Sequence, residues 1–143
     1  MPTRKEIGRI LRGPSYYRSE IQHLQERIEY CRSQSQKCTQ QINTLGGSRQ
    51  QSPKTWEDWV TDIVTLGAKL NEVGAKHEQA VKDCREVLGG MQKERYKQIL
   101  ALHYIQNKDP QTIIRETGCT KSTVYRVLQE SETIVLKYAN LKV

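Results

Sequence analysis

The chain contains no phenylalanine, and only 6% of its 143 residues are aromatic. Its apolar fraction is also low, at 36%. Such a composition cannot fill one large globular core, but it suits long helices that share a narrow apolar seam. No run approaches the eighteen or so apolar residues of a membrane span, so no membrane association is expected. The opening, MPTRKEIGRILRGPS, has basic residues but no long apolar stretch, so a secretory signal is not expected and a cytoplasmic location is.

Neither a zinc site nor, in a cytoplasmic protein, a disulfide framework is expected. Cys31, Cys38, Cys84 and Cys119 form no CxxC pair, and His23, His77 and His103 are scattered one to a segment. The cysteines read as small buried hydrophobes. No glycine-rich loop ends in Lys-Ser/Thr, no acids cluster at metal spacing, and no Ser/His/Asp set can be assembled. The chain therefore reads as a non-enzyme without cofactor.

Charge is present in excess of one sign, +7 overall, and unevenly placed. Residues 1–18 carry five Lys/Arg against one acid, and residues 92–143 carry nine against five. Between them, residues 19–91 carry nine against ten. Basic ends around a neutral middle suit a protein whose ends touch a polyanion and whose middle holds something together.

The middle reads as two long helices. Ile21, Leu24, Ile28, Cys31, Ser35, Cys38, Ile42 and Leu45 recur at alternating steps of three and four. GGSRQQSPKT, residues 46–55, breaks the pattern. Ser52 and Pro53 suit an N-cap and first helical position, with Thr55 and Asp58 as an alternative cap. Ile63, Leu66, Leu70, Val73, His77, Ala80, Cys84, Val87 and Met91 then form a second seam, in which His77 is read as a packing residue. An antiparallel hairpin follows, or pairing of both helices with a second copy of the chain, since both bury the same stripe. Pairing outward from the loop sets Leu45 against Trp56 or Trp59, and Ile21 against Ala80 or Cys84. Gly67 and Gly74, seven apart beside the seam, leave room for another helix. Gly89-Gly90 ends the second helix.

The last fifty residues carry the most specific pattern. KERYKQILALHYIQ, 93–106, has a helical stripe and stops at NKDP. Asp109 and Pro110 suit an N-cap and N1 for PQTIIRET. Gly118 suits a left-handed turn, and Thr120 can cap a third helix, KSTVYRVLQESETIVLKYANL. Ile113, Thr117, Cys119, Val124 and Val127 fall at the interior positions of a helix-turn-helix. Lys121, Ser122, Thr123, Tyr125, Arg126 and Gln129 are expected to face outward, each able to donate to a phosphate or base edge and none acidic. Arg4, Lys5, Arg9, Arg12, Lys108 and Thr120 are the expected phosphate or secondary DNA contacts.

The stretch ERYKQILALHYIQNKDPQTIIRETGCTKSTVYRVLQESETIVLKYA resembles region 4 of bacterial sigma factors, the helix-turn-helix that reads an upstream promoter element. The whole order, a helical hairpin and then this unit, resembles phage transcriptional regulators of the RinA and ArpU type. The resemblance matches Ile99, Leu100, Leu102, Tyr104 and Ile105 to the support helix and Ile113 to Gly118 to the positioning helix. It matches Lys121, Ser122, Thr123, Tyr125 and Arg126 to the DNA-facing start of the recognition helix. The chain departs from the pattern at Ile114, where members carry a small residue, and at Thr117, where they carry a large apolar one. Other sigma regions have no counterpart here.

The expected fold is therefore all-α: a long antiparallel helical hairpin, or coiled-coil arm, followed by a C-terminal three-helix helix-turn-helix unit. The expected domains are a basic N-terminal arm (1–18), the hairpin (19–90) and the DNA-binding unit (91–143). The expected function is sequence-specific DNA binding in transcription regulation. The resemblance implies a phage late-gene activator in a bacterial host cell, with double-stranded DNA and host RNA polymerase as partners; a second copy of the chain is a partner if the long helices pair between chains. A DNA-packaging protein of the small-terminase kind is the alternative. It would form rings, and its DNA-binding unit would be expected first in the chain.

Overall fold

The computed structural model describes residues 3–45 and 54–138, with backbone alone for 40–45. The fold is all-helical among the described residues. Six helices follow in order: α1 (Arg4–Leu45), α2 (Trp56–Gly89), α3 (Glu94–Tyr104), α4 (Pro110–Thr117), α5 (Lys121–Gln129) and α6 (Ser131–Tyr138). The long helices α1 and α2 pair antiparallel. The chain divides into two compact units, one comprising residues 1–18 with 76–143 and the other residues 19–75.

In the first unit, the segment read as an arm is helical from Arg4. A reciprocal cap starts it: the Thr3 amide donates to the Glu6 carboxylate, and the Glu6 amide donates to the Thr3 hydroxyl, each at 3.2 Å. Ile7 and Leu11 then enter one core with Cys84 and Leu88 of α2, Ile99 and Leu100 of α3, Ile113 of α4, Val124 and Val127 of α5, and Val135 of α6. Pro14 lies inside α1 and is fully buried. Gly13 permits this pairing, because a Cβ there would lie 3.2 Å from the Ala80 Cβ.

In the second unit, Leu24, Ile28 and Cys31 of α1 are buried along with Leu66 and Val73 of α2. The expected seams are therefore the inward faces. Their register differs from the expectation. Trp59 meets the Tyr30 ring edge-on at 5.9 Å, and Trp56 shares a recess with Ser35, Gln36 and Thr39. Counted back along α1 from Leu45, the recess of Trp56 lies about two to three turns away, and Tyr30, the partner of Trp59, about four. Pairing outward from the loop assumes a tight turn, and a connection of ten residues does not enforce one. The start of α2 is set locally instead. The Thr55 amide donates to Asp58 at 3.0 Å and the Asp58 amide to Thr55 at 3.2 Å, so the alternative cap is the one formed. Ser52 and Pro53, and the side chains of Ile42 and Leu45, lie outside the described residues. Lys54 bonds Asp62 at 2.6 Å and lies 4.4 Å over the Trp59 ring. The Asp62 hydrogen bond raises the Lys54 ammonium above its ordinary pKa.

Gly67 and Gly74 face open space, since a Cβ on either would meet nothing within 4 Å among the described residues. One further expectation is corrected. The third helix of the C-terminal unit is two helices, with Glu130 between α5 and α6 at φ −105° and ψ 24°. The apolar spacing from Val127 to Ile134 suits an unbroken helix, so the pattern gave no sign of the break. At the break, Ser131 is buried and its hydroxyl pairs with the Tyr104 hydroxyl at 2.8 Å. A buried hydroxyl needs such a partner, which fixes the start of α6 against α3.

Candidate nucleic-acid interface

The bihelical turn is built as its residues predict. Asp109 is extended (φ −78°, ψ 161°) and accepts from the Thr112 amide at 3.1 Å, with Pro110 at the first helical position. Hydrogen bonding from the Thr112 side chain, and then from its amide, favours the charged carboxylate and holds Asp109 below its ordinary pKa. Gly118 ends α4 in the left-handed region at φ 72°. Thr120 (φ −71°, ψ 156°) then opens α5, accepting from the Thr123 amide at 3.3 Å. The turn before Asp109 uses a second left-handed residue, Asn107 at φ 56°.

Four of the five interior positions are buried: Ile113, Cys119, Val124 and Val127. Thr117 is half-buried. Its hydroxyl donates to the Ile113 carbonyl at 2.7 Å and accepts from the Cys119 amide at 3.3 Å. The Thr117 hydroxyl thus satisfies two backbone groups of the turn. Ile114 packs half-buried at the edge of the core.

On α5, Lys121, Ser122, Tyr125, Arg126 and Gln129 are exposed. At ~100° per residue, Ser122, Tyr125 and Gln129 fall within roughly 60° of one another. Lys121 borders them on one side, its ammonium 5.9 Å from the Tyr125 ring centre. Arg126 borders them on the other, about 40° beyond Ser122. Thr123 turns inward, half-buried, and its hydroxyl accepts from the Thr120 hydroxyl at 2.8 Å. No acid lies in the face. Lys108 is half-buried, with its amide donating to the Leu102 carbonyl at 2.9 Å, and the Thr120 hydroxyl is committed to capping.

The N-terminal cations are divided in their contacts. Arg4 and Arg12 both reach Glu132 at the start of α6, at 3.4 and 3.0 Å. Lys5 and Arg9 line an open groove of about 520 Å³ with Tyr16, Tyr17 and Asp83. Arg18 donates to the Ile105 carbonyl at 2.9 Å and so braces the end of α3.

One cluster was not anticipated. Tyr96 of α3 and Tyr138 of α6 meet edge-on at 5.6 Å. Lys93 lies over both rings, at 5.7 and 5.4 Å, and Lys137 lies 5.3 Å over Tyr138. Arg126 donates to the Tyr96 hydroxyl at 2.9 Å, with its guanidinium 5.9 Å over the same ring. The signal was present in KERY and LKY, where lysines flank tyrosines, but nothing in the sequence joins those stretches.

Among the described residues, no helix is long and apolar enough to cross a membrane. None of their His, Cys, Asp and Glu side chains gather in threes that could hold a metal ion. No protein-family model matches the chain. Neither the curated proteins nor the solved structures yield a match.

Proposed function

We propose that this protein is a sequence-specific DNA-binding regulator of transcription, acting by binding rather than catalysis. The observation that carries this reading is the exposed, acid-free face of α5, set between a glycine turn and the buried side of the same helix. Lys121, Ser122, Tyr125 and Gln129 offer ammonium, hydroxyl and amide groups, the donor types that read base edges in a major groove. The basic segments at both chain ends lie in the unit that holds this face. Residues 76–91 are balanced, with three Lys/Arg and three acids, so the unit carries net +8 and residues 19–75 carry −1. Long-range attraction to duplex DNA then belongs to the reading unit itself.

Taken with the resemblance to sigma region 4 and the RinA and ArpU regulators, the reading extends to a phage activator of late genes working with host RNA polymerase. Selection of bound sites from random duplex DNA tests the core of the proposal. Enrichment of one motif supports it, and the motif's symmetry distinguishes one bound copy from two. Absence of enrichment, with binding that does not weaken as salt rises, would overturn it.

A further inference from the structure

We infer that Lys93, Arg126 and Lys137, assembled on the Tyr96–Tyr138 pair, form a site for the DNA backbone phosphates, and that Arg126 positions the duplex instead of reading a base. This rests on the DNA-binding reading above and assigns a distinct role to one margin of the interface.

Three observations carry it. First, Arg126 is already engaged away from the centre of the face. Its guanidinium is hydrogen-bonded to the Tyr96 hydroxyl on α3 and lies over that ring. Reading a guanine requires the planar fork to project into the groove with two donors aligned on one base edge. Around α5, Arg126 instead lies at the margin beyond Ser122, Tyr125 and Gln129. Second, the side chains around it are cations from different helices. Lys93 precedes α3 and lies over both tyrosine rings, and Lys137 belongs to α6 and lies over Tyr138. Gathering three positive charges is unfavourable unless something compensates. The rings do so in part, since the face of an aromatic attracts a cation. Third, the compensation is incomplete. Among the described residues, no ion pair with a carboxylate engages Lys93, Arg126 or Lys137, whereas Arg4, Arg12 and Lys97 each have one. The chemistry left unsatisfied is that of anions with several acceptor oxygens. At the border of a base-reading face, successive phosphodiesters of one strand supply it.

The test uses the full chain and two duplexes of equal length, one carrying the selected motif and one of random sequence. Affinities are measured over a salt series. Replacing Lys93→Gln and Lys137→Gln together should reduce the slope of log affinity against log salt by about 1.8, at ~0.9 per phosphate contact. Affinity for both duplexes should fall by the same factor, leaving their ratio unchanged. Arg126→Lys keeps a point charge and should also leave the ratio unchanged. A fall of about 5- to 150-fold in that ratio is what losing a bidentate guanine contact predicts, and it would overturn the assignment of Arg126. An unchanged slope in the double variant would overturn the phosphate site while leaving the DNA-binding reading intact. Wild-type protein that bound neither duplex would remove both. All three side chains lie on the outer side of the unit's core, so circular dichroism should show the variants folded as wild type.

Discussion

Replacing Leu11 with alanine separates a structural role for the N-terminal segment from that of a mere basic arm. Leu11 is 1% exposed and shares its core with residues of α2 through α6. Truncating a leucine in such a place removes its transfer free energy and leaves a cavity, at a cost of about 2–5 kcal/mol. On a solvated arm the same change stays within about 0.5 kcal/mol. The probe matters, because Trp56 and Trp59 both lie in the 19–75 unit and their fluorescence reports on that unit. Hydrogen exchange at the amides of α3 to α6 reports on the other. At about 1.4 kcal/mol per tenfold, the slowest of those amides should exchange roughly thirtyfold faster or more in Leu11→Ala. Arg9→Ala, at an exposed position two residues away, serves as the control and should leave them unchanged. Equal protection in wild type and Leu11→Ala would refute the placement of α1 in this core.

Gly118→Ala should cost about 1–2 kcal/mol in urea denaturation, with Gly118→Asn costing less, because the added Cβ meets no atom and only the φ of 72° is penalised. Asp109→Ala should lower the melting temperature near neutral pH. The wild-type carboxyl has its folded pKa below its unfolded value near 3.8, so its contribution is complete above that value and is lost as pH falls through the folded one; the two melting curves should converge there. The Cys84 thiol is raised by burial to about 11 from 9.0, so its stabilising effect is full below pH 9 and disappears as pH rises through about 11. A thiol-reactive dye at pH 8 should accordingly label half-buried Cys38 first and Cys84 only after unfolding. Glu132→Gln should change stability by at most about 1 kcal/mol, its two ion pairs being largely exposed on the arginine side. On the DNA-binding reading it should also steepen the salt slope by up to about 0.9 for each released arginine that reaches a phosphate.

Much of the C-terminal unit was legible because its signals are local. Asp109 with Pro110, Gly118, and Thr120 each fix their own few residues, and all adopt the conformations that their chemistry favours. The heptads likewise revealed which faces of α1 and α2 turn inward. What escaped was either weighed wrongly or non-local. TRKE at residues 3–6 is a capping sequence, and Ile7, Leu11 and Pro14 continue the α1 stripe backwards. Four cations, Arg4, Lys5, Arg9 and Arg12, are interleaved with them and mask the apolar stripe. The register of the hairpin was not legible, because a ten-residue connection leaves it to packing such as Tyr30 on Trp59. The break at Glu130 was hidden by an apolar spacing that fits a straight helix. Within the interface, the outward positions on α5 followed from helical period. The hold of Tyr96 on Arg126 depends on α3 and α5 meeting, which no period encodes.

The fold also changes how the charge should be counted. Seventeen Lys and Arg fall in the unit made of residues 1–18 and 76–143, five, three and nine from its segments. Several are spent on the unit itself. Arg4 and Arg12 hold Glu132, Arg18 braces the Ile105 carbonyl, and Lys97 pairs with Glu94. The arginine contacts tie α1 to α6 and to the end of α3, the helices that flank the bihelical turn. Four further cations border α5, with Lys121 on one margin and Lys93, Arg126 and Lys137 on the other. Phosphates on either side of a groove would then be held at the two margins, while Ser122, Tyr125 and Gln129 face the bases between them. On that arrangement, affinity depends on a few cations placed by tyrosines and helix caps, and the net charge of the chain overstates it.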